Sequence, residues 1–251
     1  MIIFDPDKNA ILNPHNFISK VENMPKVAVA CYANTTFDRM LNGLDVKQIS
    51  KFSDANGDYP VYATTYKGVD IALFMIRVGA ANSVGALEDL FQMGCEKVIV
   101  FGTCGVLDKS IEDCSIIIPN SAVREEGISY HYVPAADEIE VNKEHMDTFT
   151  QLLDEIGVKY TVGKTWTTDG FYRETTGKVK MMKEKGCVCV EMECSADAAV
   201  AQFRGKELVQ FFYATDNLDA EDWDERSLAN EANVEEKDKI AIIALELATR
   251  I

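Results

Sequence analysis

At 251 residues and a formal net charge of −16, the chain is long enough to bury a large core and too acidic for a broad surface suited to nucleic acid phosphates. No stretch approaches the roughly 20 apolar residues of a membrane-spanning helix. The opening Met1-Ile2-Ile3-Phe4-Asp5-Pro6-Asp7 lacks the basic start and long apolar region of a signal peptide, so a cytoplasmic protein with no membrane or nucleic acid partner is expected. Seven cysteines, several in apolar runs (Cys95, Cys187, Cys189), fit reduced, buried thiols better than a disulfide framework. Cys187, Cys189 and Cys194 lack the paired spacing or histidine partner of a metal site, and no metal is expected.

Residues 1–25 read as irregular, punctuated by Pro6, Pro14 and Pro25. Residues 26–32 form a short apolar run, the first core strand. Phe37, Met40, Leu41 and Leu44 have helical spacing, which predicts a helix over 35–49. A turn is expected over 53–58, then strands 61–66 and 69–78 joined at Lys67-Gly68 as an antiparallel hairpin. Val84, Leu87, Leu90 and Phe91 stripe a helix within 79–93 that Gly94 stops.

Residues 97–101 read as a fully buried strand opening into a small loop, Gly102-Thr103-Cys104-Gly105. Residues 115–119 are another core strand, whereas 124–132 is polar and aromatic and expected outside the core. A helix over 143–156 closes at Gly157. Strand 160–168 ends in Thr167-Thr168-Asp169-Gly170-Phe171-Tyr172, and 175–185 is a polar helix. The run Cys187-Val188-Cys189-Val190 is a strand that ends in Glu191-Met192-Glu193, and a helix pattern follows. Strand 208–214 ends in Thr215-Asp216-Asn217, and an acidic loop holds Asp219, Glu221, Asp222, Asp224 and Glu225. The last helix begins near residue 234. Alternating strands and helices without repeat or linker argue a single domain over 1–251 built as a mixed α/β sandwich.

Four strand ends carry polar or glycine-rich groups: Gly102-Thr103, Asp169 to Phe171, Glu191 to Glu193, and Asp216-Asn217. In open α/β sheets such ends converge on one crevice. A small glycine loop exposes backbone N–H groups that hold anions, or is simply a tight turn. The Glu193 carboxylate can accept two hydrogen bonds from vicinal sugar hydroxyls. Met192 can lie beneath a sugar or fill the core, and Phe171 can stack on a flat base or pack internally. Asp216 can exchange a proton with a ring nitrogen or start a turn. His15, one of three histidines, is by itself a surface imidazole. No G-x-S-x-G nucleophile motif is present.

These segments together resemble the nucleoside phosphorylase I family, the purine nucleoside phosphorylase and uridine phosphorylase group. The matching stretches are Gly102-Thr103-Cys104-Gly105, the run from Ser121 to Tyr132, Thr165-Trp166-Thr167-Thr168-Asp169-Gly170-Phe171-Tyr172-Arg173-Glu174-Thr175, Val190-Glu191-Met192-Glu193 and Tyr213-Ala214-Thr215-Asp216-Asn217, in family order. The resemblance implies a three-layer α/β/α sandwich with a mixed central sheet. It also implies cleavage of a ribonucleoside's N-glycosidic bond, with inorganic phosphate as co-substrate and no cofactor. Glu193 and Met192 would hold the ribose. His15 would reach the 5′-hydroxyl of a neighbouring subunit's ligand, making residues 1–25 part of a subunit interface in a homodimer or trimer of dimers. Phe171 would stack on the base, with Glu191 grouped on the base side, supporting the site or only beginning the next helix. Gly102 and Thr103 would meet phosphate. Asp216 would protonate a purine, assisted by Arg226.

Two departures concern the phosphate end. The family's G-D-P-x-R loop after the first strand is here Cys31-Tyr32-Ala33-Asn34-Thr35-Thr36-Phe37, and the arginine usual before the glycine loop is replaced by Val100-Phe101. Arg39, Arg77 and Arg124 are the candidate substitutes, because guanidinium forks supply the strong contacts to phosphate. The uridine branch's Gln-x-Arg element and the hydrolase branch's glutamate are also absent. A purine nucleoside phosphorylase is therefore the first expectation. A phosphate-independent nucleosidase and a nucleoside-binding protein without turnover are the alternatives.

Overall fold

The computed structural model describes residues 4–55, 57–219, 222–229 and 231–251. Residues 1–3 of the expected interface segment, Asn56 of the expected turn and Glu221 of the acidic loop lie outside the described residues. In chain order the elements are a 3₁₀ turn at Pro14–Asn16, β1 (Val27–Cys31), α1 (Asn34–Asn42), β2 (Lys47–Asp54), β3 (Gly57–Tyr66), β4 (Val69–Met75), α2 (Ala80–Met93) and β5 (Lys97–Val106). Then come β6 (Ile116–Glu125), α3 (Ser129–Tyr132), β7 (Glu138–Glu140), α4 (Met146–Ile156), β8 (Tyr160–Thr168), a second 3₁₀ turn at Phe171–Arg173, α5 (Thr176–Glu184), β9 (Cys187–Glu191), α6 (Cys194–Arg204), β10 (Glu207–Asn217) and α7 (Val234–Ala248).

The strands form one mixed sheet with helices on both faces, so the mixed α/β class read from the alternation holds. β1 lies between parallel β4 and β5, and the β2–β3–β4 meander extends the sheet beyond β4. Strand alternation sorts β1 cleanly. Val27, Val29 and Cys31 face α1, α4 and α7, while Ala28 and Ala30 face α2 and α6. β10 runs parallel along the whole of β5, and β10 also pairs with β6, β6 with β8, β8 with β9, and β9 with the end of β5. The sheet thus closes on itself through β5, and α5 packs outside it on β8 and β9.

Three local expectations are corrected. The predicted 35–49 helix stops at Asn42, with the Gly43 N–H on the Arg39 carbonyl, and β2 follows. β2 is an edge strand that fully buries only Phe52, so its sequence carries no apolar run to announce it. The expected loop at Gly102 to Gly105 is instead strand, paired with residues 212–216 of β10. The stretch 124–132 is not outside the core, because Arg124, Glu126 and Ser129 are buried. Arg124 Nε donates to Ser129 Oγ at 2.9 Å, Nη1 to the Pro134 carbonyl at 2.8 Å, and the guanidinium lies 4.1 Å over the Tyr130 ring. Glu126 accepts from the Ile128 and Ser129 N–H groups and from the Ser195 hydroxyl. A polar segment is buried here because most of its groups satisfy one another, with Arg124 Nη2 the exception.

Candidate active site

β1, β4, β5 and β10 run parallel, so their C-terminal ends open on one edge. β1 accompanies β5 only to Phe101, where the Tyr32 N–H bonds the Phe101 carbonyl at 3.3 Å, and β9 joins that side of β5 only at Gly105. Between these points Gly102, Thr103 and Cys104 have no strand partner on that edge. The crevice sits in this fork, and the chain brings to it β1's exit, the loop before α2, the β9–α6 junction and the end of β10.

The two glutamates of the β9–α6 junction part company. Glu191 ends β9 beside Thr167 of β8. One carboxylate oxygen accepts from Thr167 Oγ1 at 2.6 Å and Thr165 Oγ1 at 3.2 Å, and the other from the Glu193 and Cys194 N–H groups at 2.7 Å each. It ties β8 to the first turn of α6, where a negative charge also suits the helix dipole. Its oxygens are committed to the scaffold, which matches the expected supporting position rather than the base-side one. Glu193 instead accepts the Gly79 N–H at 2.5 Å. Gly79 has φ +98°, a conformation glycine adopts without steric cost, and it delivers that N–H at the start of α2. Met192, between the acids, is half-buried.

One turn along α6, buried Asp197 accepts from Ser83 Oγ at 2.6 Å and the Tyr32 hydroxyl at 2.8 Å. The anchored Tyr32 side chain packs directly on Gly102, since a Cβ there would come within 2.8 Å of the ring. Burial pushes Glu191 and Asp197 up to about 7 and Glu193 well above the carboxylate range, with Glu191 and Asp197 adding repulsion to Glu193. A carboxyl raised on folding favours the folded state while protonated. That contribution is complete below the unfolded values and lost as pH rises through about 7. Thermal midpoints of the ligand-free protein are therefore expected to fall between about pH 5 and 8, and a midpoint rising across that window in calorimetry would contradict the burial of this acid cluster.

Asp216 occupies the other end of the fork. The β10 register shifts between Ala214 and Asp216, and the bulge turns the carboxylate over Gly105, where a Cβ would meet its oxygens at 3.2 and 3.3 Å. Burial raises Asp216, opposed by hydrogen bonds from Trp223 and Thr215 and by the charge of Arg226. Arg226 itself donates to the Ile111 carbonyl at 2.8 Å and to Asp224 at 3.3 Å, so it acts on Asp216 through its field rather than by contact. Glu174 enters unforeseen. It is half-buried just past Phe171 and pushed up to about 7 by burial, with Asp216 and Glu125 adding negative charge. The signal was present in the run after Phe171, but a carboxylate immediately after an exposed turn gives no sign that it faces β10. Phe171 is 50% exposed, its ring 4.0 Å from that of Tyr172.

The arginines that might serve an anion are engaged elsewhere. Arg39 pairs with Asp238, Arg77 with Asp54 while lying over the Tyr59 ring, and Arg124 through Nε and Nη1 with the buried network above, its Nη2 left buried without a hydrogen-bond partner among the described residues. Val100 is fully buried. His15 is exposed on the Pro14–Asn16 turn and is not brought to the crevice by its own chain. Among the described residues Glu144, His145 and Glu207 bring ligand-type atoms within 4.8 Å of one another. Lys97 already sits 3.0 Å from Glu207, however, and Glu207 begins β10 at the end opposite Asp216.

A family model described as the phosphorylase superfamily matches residues 28–251. A uridine phosphorylase of Thermococcus kodakarensis is 33% identical over 119 residues, 46% of this chain and 42% of the relative's own length. A guanosine phosphorylase of Halorubrum lacusprofundi is 26% identical over 64% of this chain and 67% of its own, and a DeoD-type purine nucleoside phosphorylase of Bacillus cytotoxicus is 28% identical over 62% and 68%. In fold, a Vibrio fischeri uridine phosphorylase superposes with a TM-score of 0.79 at 22% identity, covering 97% of this chain and 100% of its own. A family match over nearly the whole chain, on a fold shared with solved phosphorylases, places this protein in the phosphorylase superfamily.

Proposed function

We propose that the protein cleaves the N-glycosidic bond of a ribonucleoside, with purines preferred and phosphate as acceptor. The observation that carries this reading is the pair of carboxylates at the two ends of the fork. Glu193 stands by Gly79 near the Gly102 end, and Asp216 over Gly105. Three residue steps of strand separate the two glycines, about 10 Å, a span that suits a sugar joined to a flat base. Glu193 would accept the ribose 2′ and 3′ hydroxyls, with Met192 beside the ring, and Phe171 would stack on the base. As the C1′–N9 bond breaks, its electron pair leaves with the base and Asp216, assisted by the field of Arg226, gives a proton to N7. A phosphate oxygen held near Gly102 and Thr103 then bonds C1′. Burial keeps Asp216 closer to neutral pH than an exposed aspartate, as a general acid requires. The relatives' names cover purine, guanosine and uridine phosphorylases. That range supports nucleoside phosphorolysis, and the purine preference rests on Asp216.

Hydrolysis is the second reading, and one observation favours it. The Tyr32 ring covers Gly102, and Arg39 and Arg77 are paired with Asp238 and Asp54, which leaves Arg124, with its Nη2 buried and without a hydrogen-bond partner among the described residues, as the one candidate cation of the three with a donor to spare for a dianion. The same reading makes the protein cofactor-free, cytoplasmic and at least dimeric, with His15 completing a neighbour's ribose site. Incubation with inosine, adenosine and uridine, with and without phosphate, tests it. Base release that rises with phosphate and yields ribose 1-phosphate is expected. Release indifferent to phosphate selects hydrolysis, and no release from any nucleoside rejects both.

A further inference from the structure

Only two tryptophans occur in the chain. Trp166 is fully buried, and Trp223 is 59% exposed in the acidic loop after β10. That loop folds back as an antiparallel bridge, with the Asn217 N–H donating to the Asp224 carbonyl at 2.9 Å and the Asp224 N–H returning to Asn217 at 3.3 Å. The bridge sets residue 223 beside residue 216, and the indole Nε1–H donates to Asp216 Oδ2 at 2.9 Å. Among the described residues the other oxygen, Oδ1, has only the Thr215 hydroxyl at 3.4 Å, a long contact for a hydroxyl donor.

We propose that Trp223 is a positioning residue for the reaction, holding Asp216 Oδ2 as an acceptor so that Oδ1 faces the leaving base and carries its proton. An indole N–H can only donate. Oδ2 therefore stays the carbonyl-like oxygen of the acid, and the transferable proton belongs on Oδ1. The remaining groups around Asp216 do not supply this selection. Arg226 and Asp224 act from the loop through charge, Glu174 repels from beyond Phe171, and the buried Cys104 thiol on β5 stays protonated. The inference rests on the reading of Asp216 as proton donor.

The test is the pH profile of kcat/KM for inosine with Trp223→Phe, which keeps a ring and removes the N–H. A hydrogen bond to a carboxylate favours the ionised form, so its loss raises Asp216. The basic limb is expected to move up by about half a unit to one unit, with a plateau about tenfold lower. Trp223→Gln, which restores a donor without the ring, should bring the limb back toward wild type. A limb that stays put in Trp223→Phe, with rate lost equally at every pH, overturns the proposal. Asp216→Asn separates this from the underlying reading. Full activity in that variant removes the acid assignment itself, whereas lost activity there with an unmoved Trp223→Phe limb removes only the role of Trp223.

Discussion

Glu193→Ala is expected to lower kcat/KM by about 10²–10³-fold while leaving the fold intact. The magnitude follows from removing one preorganised polar contact whose hydrogen bonds strengthen as the sugar gains positive character in the transition state. The fold should survive because the deletion has opposing consequences. It strands the Gly79 N–H, but it also removes a buried carboxyl whose ionisation is opposed by burial and by Glu191 and Asp197. Steady-state kinetics beside circular dichroism and a thermal midpoint decide the matter. Wild-type turnover in the variant would remove the ribose assignment, and a collapse of the midpoint would make Glu193 a structural residue.

Glu191→Ala should behave in the opposite way, losing about 3–5 kcal/mol of stability, the range seen when one member of a buried polar network is deleted. Two threonine hydroxyls and two backbone N–H groups point at that carboxylate, and alanine leaves all four donors buried without an acceptor. Each such group costs about 1–3 kcal/mol when orphaned, partly offset here because ionising Glu191 in the interior is itself unfavourable. Denaturant unfolding measures the loss, and a difference under about 1 kcal/mol would show that the donors find other partners. Activity should fall no further than the folded fraction and the geometry of the Glu193 turn dictate. Two acids separated by one methionine are thus predicted to differ in kind, one by kinetics and the other by stability.

Much of this arrangement was legible before any coordinates. β1, β5, β9 and β10 stood out because strands buried on both faces read as continuous apolar runs, and α2, α4 and α7 because their apolar residues recur at helical spacing. The convergence of Glu193, Asp216 and the Gly102 segment on one edge could be argued from polar groups at strand ends. What failed did so for identifiable reasons. β2 buries only Phe52 and is held by its backbone ladder to β3, so side-chain pattern could not reveal it. Arg124 and Glu126 looked solvated because their partners, Ser129, Pro134 and Ser195, are a matter of tertiary proximity. Gly102 to Gly105 looked like a loop because glycines weaken a strand signal. Here they belong to β5, where Gly102 admits the Tyr32 ring and Gly105 the Asp216 carboxylate.

By itself, the sequence determined the class of fold, the family and the candidate residues, because these depend on local periodicity and on residue types at strand ends. The tertiary structure alone decided three further matters. It separated Glu191 from Glu193, because the chain leaves strand geometry after Glu191 and Glu193 sits at the N-cap of α6, which turns one carboxylate into the scaffold and the other toward Gly79. It laid Tyr32 over Gly102 where the family's phosphate end would be, because Asp197, 165 residues away in sequence, anchors the phenol. It paired Asp216 with Trp223, because a bulge in β10 and a bridge in the following loop bring them within hydrogen-bonding distance. The first two rest on contacts between distant segments and the third on how a local loop folds back, and composition and spacing carry no record of either.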